Sequence, residues 1–205
     1  MQAERSAPES AQVVAVVPAA GSGGRLGGVT KAFLRLQDGQ TFLRRIARTC
    51  AEAGISSVVC VLAPGVAGPV PAGVTVLRNQ TPEKGMLSSI HVALDAPEVQ
   101  RAAAFLLWPV DCPRVSATTV RRLVSEWREA GAAITVPEVG GRRGHPTLFS
   151  NTLLSELRSA PLDAGARAVL RSDRDRVHVV DCNASPEVLD DIDTPADASA
   201  LGVEA

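Results

Sequence analysis

Charge of either sign is nearly absent as a surplus, since 21 basic and 22 acidic side chains leave the 205-residue chain at −1. Without an overall basic field, nucleic acid and an anionic membrane are disfavoured as main partners, and any anion site must be built locally. Lysine is scarce: only Lys31 and Lys84 occur, beside three histidines. The four cysteines, Cys50, Cys60, Cys112 and Cys182, form no C-x-x-C pair, and no histidine stands at zinc-ligand spacing. A reduced, cytoplasmic protein is the simplest account. No apolar run reaches the length of a membrane span, and residues 1–11, MQAERSAPESA, lack the apolar centre of a signal peptide and read as a disordered tail. Neither a linker nor a repeat divides the remainder, so residues 12–205 read as one domain with one sizeable core.

The most informative stretch is VVAVVPAAGSGGRLGGVTKAFL, residues 13–34. Val13 to Val17 are small or β-branched and continuously apolar, the pattern of a strand buried on both faces in a parallel sheet. Gly21, Gly23, Gly24, Gly27 and Gly28 follow within eight residues. Such a backbone can adopt positive φ and turn its N–H groups toward one anion. Arg25 adds a planar fork for phosphate oxygens and Lys31 a point charge, so the loop reads as a polyphosphate cradle. It fits neither common glycine motif. Leu26 stands where G-x-G-x-x-G needs its last glycine, and Val29 stands where a P-loop needs lysine.

Beyond the loop, a helix is predicted from Phe42 to Ala53 with Gly54 at its end, then strands over Ser57–Ala63 and Val74–Asn79 and a helix over Met86–Leu94. Ala103–Val110 is the most hydrophobic strand, followed by a helix capped by Ser116 and closed by Gly131, and by a strand over Ala132–Val139. GGRRGHP (140–146) reads as a second loop before the strand TLFS. Asn151 is expected to cap a helix through Leu157, with a shorter helix near 165–170, a strand over Val177–Cys182 and a final helix entered through Thr194 and Pro195. The charged run RSDRDR (171–176) reads as a solvated turn. Alternating strands and helices predict a single α/β, three-layer, Rossmann-like domain with a mostly parallel sheet.

Ligands bind open parallel sheets beyond the carboxyl ends of the strands. Asp111, delivered at the tip of the most apolar strand and followed by Pro113, is positioned to hold a divalent cation beside phosphates. Asp191 and Asp193, on one side of an extended segment with Ile192 turned away, are the candidate second carboxylate. His145, between glycine and proline, reads as a substrate contact. His91 and His178 read as structural.

In the order PAAGSGGRLGGVTKAFL, GMLSSIHVAL, PVDCP, GHPTLF, DAGARAVLR and DIDTPAD, the chain resembles MobA-like nucleotidyltransferases, most closely the molybdenum cofactor cytidylyltransferases. The resemblance implies a fold that binds a nucleoside triphosphate and Mg2+ and releases pyrophosphate. Carried over by position, Ala19, Ala20, Gly21 and Gly23 line the nucleotide, Arg25 and Lys31 contact the triphosphate, and Ser88 and Ser89 lie near base or ribose. Asp111 binds the metal, completed by Asp193 or Asp191. Guanylyl-transferring relatives read LAGG where this chain has PAAG, which favours CTP, with a phosphorylated small molecule such as molybdopterin as acceptor. An acceptor phosphate is already ionised near neutral pH, so Arg25, Lys31 and Asp111 suffice as catalytic residues with no general base. Guanylyl or uridylyl transfer to a sugar or polyol phosphate, and an inactive nucleotide-binding accessory protein, are the alternatives. The chain departs from the family pattern at Leu26, where methionine is usual, and at Leu162, where glycine is usual.

Overall fold

The computed structural model describes residues 11–21, 30–162, 165–200 and 203. Eight strands form one sheet: β1 (Val13–Pro18), β2 (Val58–Leu62), β3 (Val74–Arg78), β4 (Ala104–Leu107), β5 (Ile134–Val139), β6 (Arg142–Arg143), β7 (Thr147–Ser150) and β8 (Val177–Asp181). The order is β3-β2-β1-β4-β7-β5-β6, with β8 also pairing β5. β1 runs parallel to both β2 and β4, so strand order reverses around it. That reversal opens a crevice at the carboxyl ends of β1 and β4.

The apolar runs alternate between two cores, as the two-residue period of a strand requires. Val13, Ala15 and Val17 enter one core, and Val14 and Val16 the other. The first is covered by α1 (Phe42–Glu52) and α4 (Ala117–Ala130), through Phe42, Leu43, Ile46, Leu123 and Trp127. The second is covered by α2 (Met86–Leu94), α3 (Pro97–Arg101), α5 (Leu154–Ser159) and α6 (Arg167–Ser172), through Leu87, Ile90, Val99, Leu157 and Val169. The layers are therefore helix, sheet, helix.

Local signals set the ends. Thr41 accepts from the Arg44 N–H at 3.2 Å and caps α1, and Ser116 does the same for α4 from the Thr119 N–H at 3.2 Å. Gly131, at φ 59°, closes α4 by donating to the Trp127 carbonyl. At the start of α7 (Pro195–Ala200), the Thr194 hydroxyl accepts from the Asp197 N–H while the Asp197 carboxylate accepts from the Thr194 N–H and hydroxyl, a reciprocal cap.

Several expectations are corrected. GGRRGHP is not simply a loop: Gly140 and Gly141, at φ 55° and 78°, make a tight turn that pairs β6 antiparallel with β5. The return strand then bulges at Gly144–Pro146 before β7 resumes the pairing with β5. The cap before α5 is Ser150, which opens a 3-10 turn, Asn151–Leu153, whereas the Asn151 amide donates to the carbonyls of Gln100 and Ala102. RSDRDR is not merely solvated, because Arg176 makes a two-pronged ion pair with Glu156. The segment carrying Asp191 and Asp193 is irregular rather than strand-like. The short helix α3 had no counterpart in the sequence reading.

Candidate active site

The site forms where β1, β4 and the segment before α7 meet. β1 delivers Ala19 and Ala20, both buried, and the Ala19 N–H extends the parallel ladder by donating to the Val61 carbonyl at 2.8 Å. Gly21 follows in a bend. Its φ lies outside the left-handed region, and among the described residues no atom falls within 4 Å of where a Cβ would stand. Gly23 and Arg25 lie outside the described residues.

Lys31 opens a 3-10 turn, Lys31–Phe33, whose neighbours Ala32 and Leu34 are buried. The Phe33 ring packs directly on Gly68, where a Cβ would fall 2.4 Å from the ring. The proline- and glycine-rich loop after β2 thus acts as a backstop for the lysine turn, and only glycine allows that approach.

Asp111 is fixed through its backbone. Pro109 has no N–H to continue the ladder, so after the Trp108 N–H donates to the Val16 carbonyl at 2.9 Å the chain leaves the sheet. The Cys112 N–H closes a turn onto the Pro109 carbonyl, and the indole N–H of the fully buried Trp108 holds the Cys112 carbonyl at 2.9 Å. The Asp111 carbonyl accepts from the Ile192 N–H at 3.0 Å. Ile192 is fully buried, so this bond ties the DIDTP segment to the tip of β4.

Three charges converge as a result. Lys31 Nζ donates to Asp111 Oδ2 at 3.0 Å and also to Asp193 Oδ1. Burial opposes the lysine charge, but the bond to Asp193 and the charge of Asp111 outweigh it and hold its pKa above the ordinary lysine value. The thiol of Cys112 donates weakly to Asp111 Oδ1 at 3.7 Å. Burial pushes that thiol upward, so it stays protonated. Asp191 is exposed, and Asp190 pairs with Arg114 at 3.0 Å.

The donor set fits a hard divalent cation. Two carboxylates that already share one cationic group lie at the crevice, and magnesium usually takes one or two carboxylates with water and phosphate completing the shell. Among the described residues no three His, Cys, Asp or Glu side chains cluster as a metal cage. Asp111 with Asp193 is therefore the candidate pair, while Asp191, exposed, lies close enough to act on the Cys112 thiol and the His145 ring.

His145 stands on the bulge between β6 and β7. Its N–H donates to the Val188 carbonyl at 2.8 Å, and Gly144 precedes it because a Cβ there would meet that carbonyl oxygen at 2.3 Å. The His145–Pro146 bond is cis. The ring is half-buried, with Nδ1 enclosed and without a partner among the described residues. Burial pushes its pKa below the ordinary histidine value, Arg167 acts in the same direction, and Asp111 and Asp191 oppose them.

Ser88 and Ser89 are buried in the first turns of α2, and their hydroxyls meet the amide of Asn79 at 2.7 and 3.0 Å. Asn79 Oδ1 also accepts from the Thr81 N–H at 2.9 Å. Sequence reasoning missed Asn79, because its partners sit on the next helix and nothing within the strand marks it. His91 and His178 are structural as expected, bonded to the Leu157 carbonyl and to Glu126, each at 2.9 Å.

Residues 15–178 match the MobA-like NTP transferase domain. The chain belongs to this family. It is similar to Rv0371c from Mycobacterium tuberculosis H37Rv at 28% identity, covering 93% of this chain and 97% of that one, with a TM-score of 0.75. A structure of Rv0371c in complex with manganese matches at 26% identity, 93% and 97% coverage and a TM-score of 0.71. The 2-C-methyl-D-erythritol 4-phosphate cytidylyltransferase of Thermus thermophilus shares the fold, at 20% identity, 93% and 97% coverage and a TM-score of 0.63. This protein is thus a family nucleotidyltransferase by sequence and by fold.

Proposed function

We propose that the protein transfers CMP from CTP to a phosphorylated small-molecule acceptor such as molybdopterin and releases pyrophosphate. The observation that carries this reading is the convergence of Lys31, Asp111 and Asp193 at the carboxyl ends of β1 and β4. The PAAG start of the loop supports CTP. The buried alanines Ala19 and Ala20 at the end of β1 suit a nucleotide lying against backbone. We assign the turn held by Asn79, Ser88 and Ser89 to the base or ribose side, and Gly23 and Arg25 to the triphosphate. His145 faces the acceptor. Four unpaired, buried cysteines support a cytoplasmic location.

Asp111 and Asp193 would hold the divalent cation, which we take to be Mg2+; the related structure with manganese supports a divalent metal at such a site. When bound, it would neutralise charge on the phosphates as the transition state develops. The chain's own part is positional. Lys31, within reach of Asp111 and Asp193, places a positive charge where the triphosphate must lie. An ionised acceptor phosphate oxygen attacks the α-phosphorus, one P–O bond forms, and the bond to the β-phosphate bridging oxygen breaks with its electron pair leaving on pyrophosphate. Neutral His145 need not move a proton.

Pyrophosphate release in the presence of CTP, Mg2+ and molybdopterin tests the reading, with GTP, UTP and ATP as comparisons. Asp111→Asn should cost at least ~100-fold in turnover, the scale of a lost electrostatic contact in a transition state. Stronger use of GTP, or full activity of Asp111→Asn, refutes the corresponding part.

A further inference from the structure

Away from the charged centre, a cavity of about 610 Å³ opens between the start of α1 and the proline-rich loop that follows β2. None of Ala19, Ala20, Gly21, Lys31, Asp111 or Asp193 lines it. One wall carries Arg35, Asp38 and Arg44, and the other is Pro69, Val70 and Pro71. The Asp38 carboxylate is already engaged. It accepts from the Gln40 N–H at 3.1 Å and the Gln40 amide at 2.8 Å and pairs with Arg45, which together hold its pKa below the ordinary aspartate value. The two arginines are not spent in that way. Arg35 gives one N–H to the Gly39 carbonyl at 2.6 Å, and the Arg44 guanidinium has no partner among the described residues.

Two guanidinium groups therefore face a space whose one carboxylate is taken, and the surplus positive charge selects an anion. Planar N–H forks meet phosphate oxygens through paired, charge-assisted hydrogen bonds, so a phosphate group is the match. The opposite wall decides what that phosphate is attached to. Pro69 and Pro71 have fixed φ and Val70 is 42% exposed, a stiff apolar face that inorganic phosphate would leave in water. The volume falls within the roughly 300–1,000 Å³ of small-molecule sites, far more than a bare anion fills. A small organic body would lie on the proline wall while its phosphate meets the arginines.

Both walls lead to Lys31. Arg35 pairs with Thr41 in an antiparallel bridge, and Leu34, just before it, donates to the Lys31 carbonyl at 3.2 Å and accepts from the Phe42 N–H at 3.0 Å. On the other side, Pro69 follows Gly68, the seat of the Phe33 ring. This loop is unevenly held. Arg78 pins its first half through the carbonyls of Ala63 and Val66, at 3.0 and 2.6 Å. Among the described residues, 69–72 are tied by one hydrogen bond, from the Val74 N–H to the Pro71 carbonyl at 3.3 Å. A ligand that spans the cavity joins this loosely held half to the segment that positions Lys31.

We propose that the cavity is a second ligand site, for a phosphomonoester of a small organic molecule, and that its occupant steadies the Lys31 turn through the contact of Gly68 with Phe33. The site stands apart from the nucleotidyl-transfer reading, whereas its consequence for the enzyme, tighter CTP binding, rests on that reading.

Lys31 and Lys84 are the only lysines, so selective carbon-13 labelling of lysine gives two side-chain signals, which Lys84→Arg assigns. Ribose 5-phosphate is titrated into the full chain, with ribose and inorganic phosphate as controls, and the backbone amides of Val70 and Ala72 are followed beside the Lys31 signal. Ribose 5-phosphate should shift the amides and Lys31 saturably with one midpoint, about tenfold or more tighter than either control. Arg44→Gln should weaken that binding about tenfold. In Gly68→Ala the added Cβ pushes the loop off the Phe33 ring, so the amide shifts should persist within about twofold of the same midpoint while the Lys31 shift vanishes. Unmoved amides, binding that survives Arg44→Gln unchanged, or a Lys31 shift that keeps its size in Gly68→Ala each overturn the proposal. By calorimetry CTP should bind about threefold or more tighter with ribose 5-phosphate present, and the sugar phosphate tighter by the same factor with CTP present. An unaltered CTP affinity overturns the coupling, whereas no CTP binding at all, with the amides and Lys31 responding, strikes the transfer reading and upholds the second site.

Discussion

Replacing Lys31 by methionine should make the protein bind a divalent cation more tightly while making it a worse enzyme. Lys31 bonds to both carboxylates that the metal would need. A charge-assisted hydrogen bond is worth about 1.5–3 kcal/mol. The contact with Asp111 is largely shielded, at 17% and 21% side-chain exposure, but Asp193 is 45% exposed, so solvent discounts its share. Seating a cation between the carboxylates therefore works against about 1.5–3 kcal/mol in the resting chain, or about 10- to 150-fold in affinity at 1.4 kcal/mol per tenfold. Mn2+ titration by electron paramagnetic resonance, without nucleotide, should show Lys31→Met binding tighter by that factor. Without metal the variant should melt about 3–12 °C lower, since two carboxylates then face each other uncompensated, and Mn2+ should restore most of the loss. Unchanged or weaker Mn2+ binding in Lys31→Met would show that the lysine and the metal do not compete for Asp111 and Asp193.

Three further outcomes follow from the geometry. Gly21→Ala meets no atom of the described residues and no unfavourable φ, so its melting temperature should hold or rise slightly, whereas CTP binding should weaken at least tenfold if a nucleotide packs on that backbone; unchanged CTP affinity in a calorimetric titration would remove Gly21 from the site. His145 has a depressed pKa, so as pH falls below its unfolded value near 6.5 the unfolded chain binds a proton that the folded chain does not, and stability drops as pH falls below that point; His145→Asn should flatten that limb in urea melts, and an equal slope in both proteins would refute the assignment. Asn79→Ala strips partners from the Ser89 hydroxyl and the Thr81 N–H in a buried setting and should cost about 2–4 kcal/mol, so a loss below about 1 kcal/mol by urea denaturation would show that water replaces the amide.

The departures from the sequence reading have a common cause. Val13–Val17, the helix from Phe42, and Ser116 with Gly131 around α4 were legible because period, cap and terminator lie within a few residues of each other. The Gly140–Gly141 turn was equally local and could have been recognised as a hairpin signal. What could not be read was the bulge at Gly144, since the carbonyl that forbids a side chain there belongs to Val188. Nor could Gly68 be read as the seat of the Phe33 ring, Asn79 as the support of Ser88 and Ser89, or Arg176 as the partner of Glu156. Each requires knowing which distant segments touch.

By itself the sequence determined the kinds of element, their order, and the family, because backbone preferences, side-chain period and motif order are properties of neighbouring residues. It also marked Lys31, Asp111 and the pair Asp191 and Asp193 as candidates. Only the tertiary structure set the two late aspartates apart, with Asp193 on Lys31 and Asp191 exposed. The buried Ile192 docks its N–H on the Asp111 carbonyl, and that anchor carries Asp193 to Lys31 while leaving Asp191 exposed. The choice turns on a hydrogen bond between residues 81 positions apart in sequence, and no local pattern encodes such a contact.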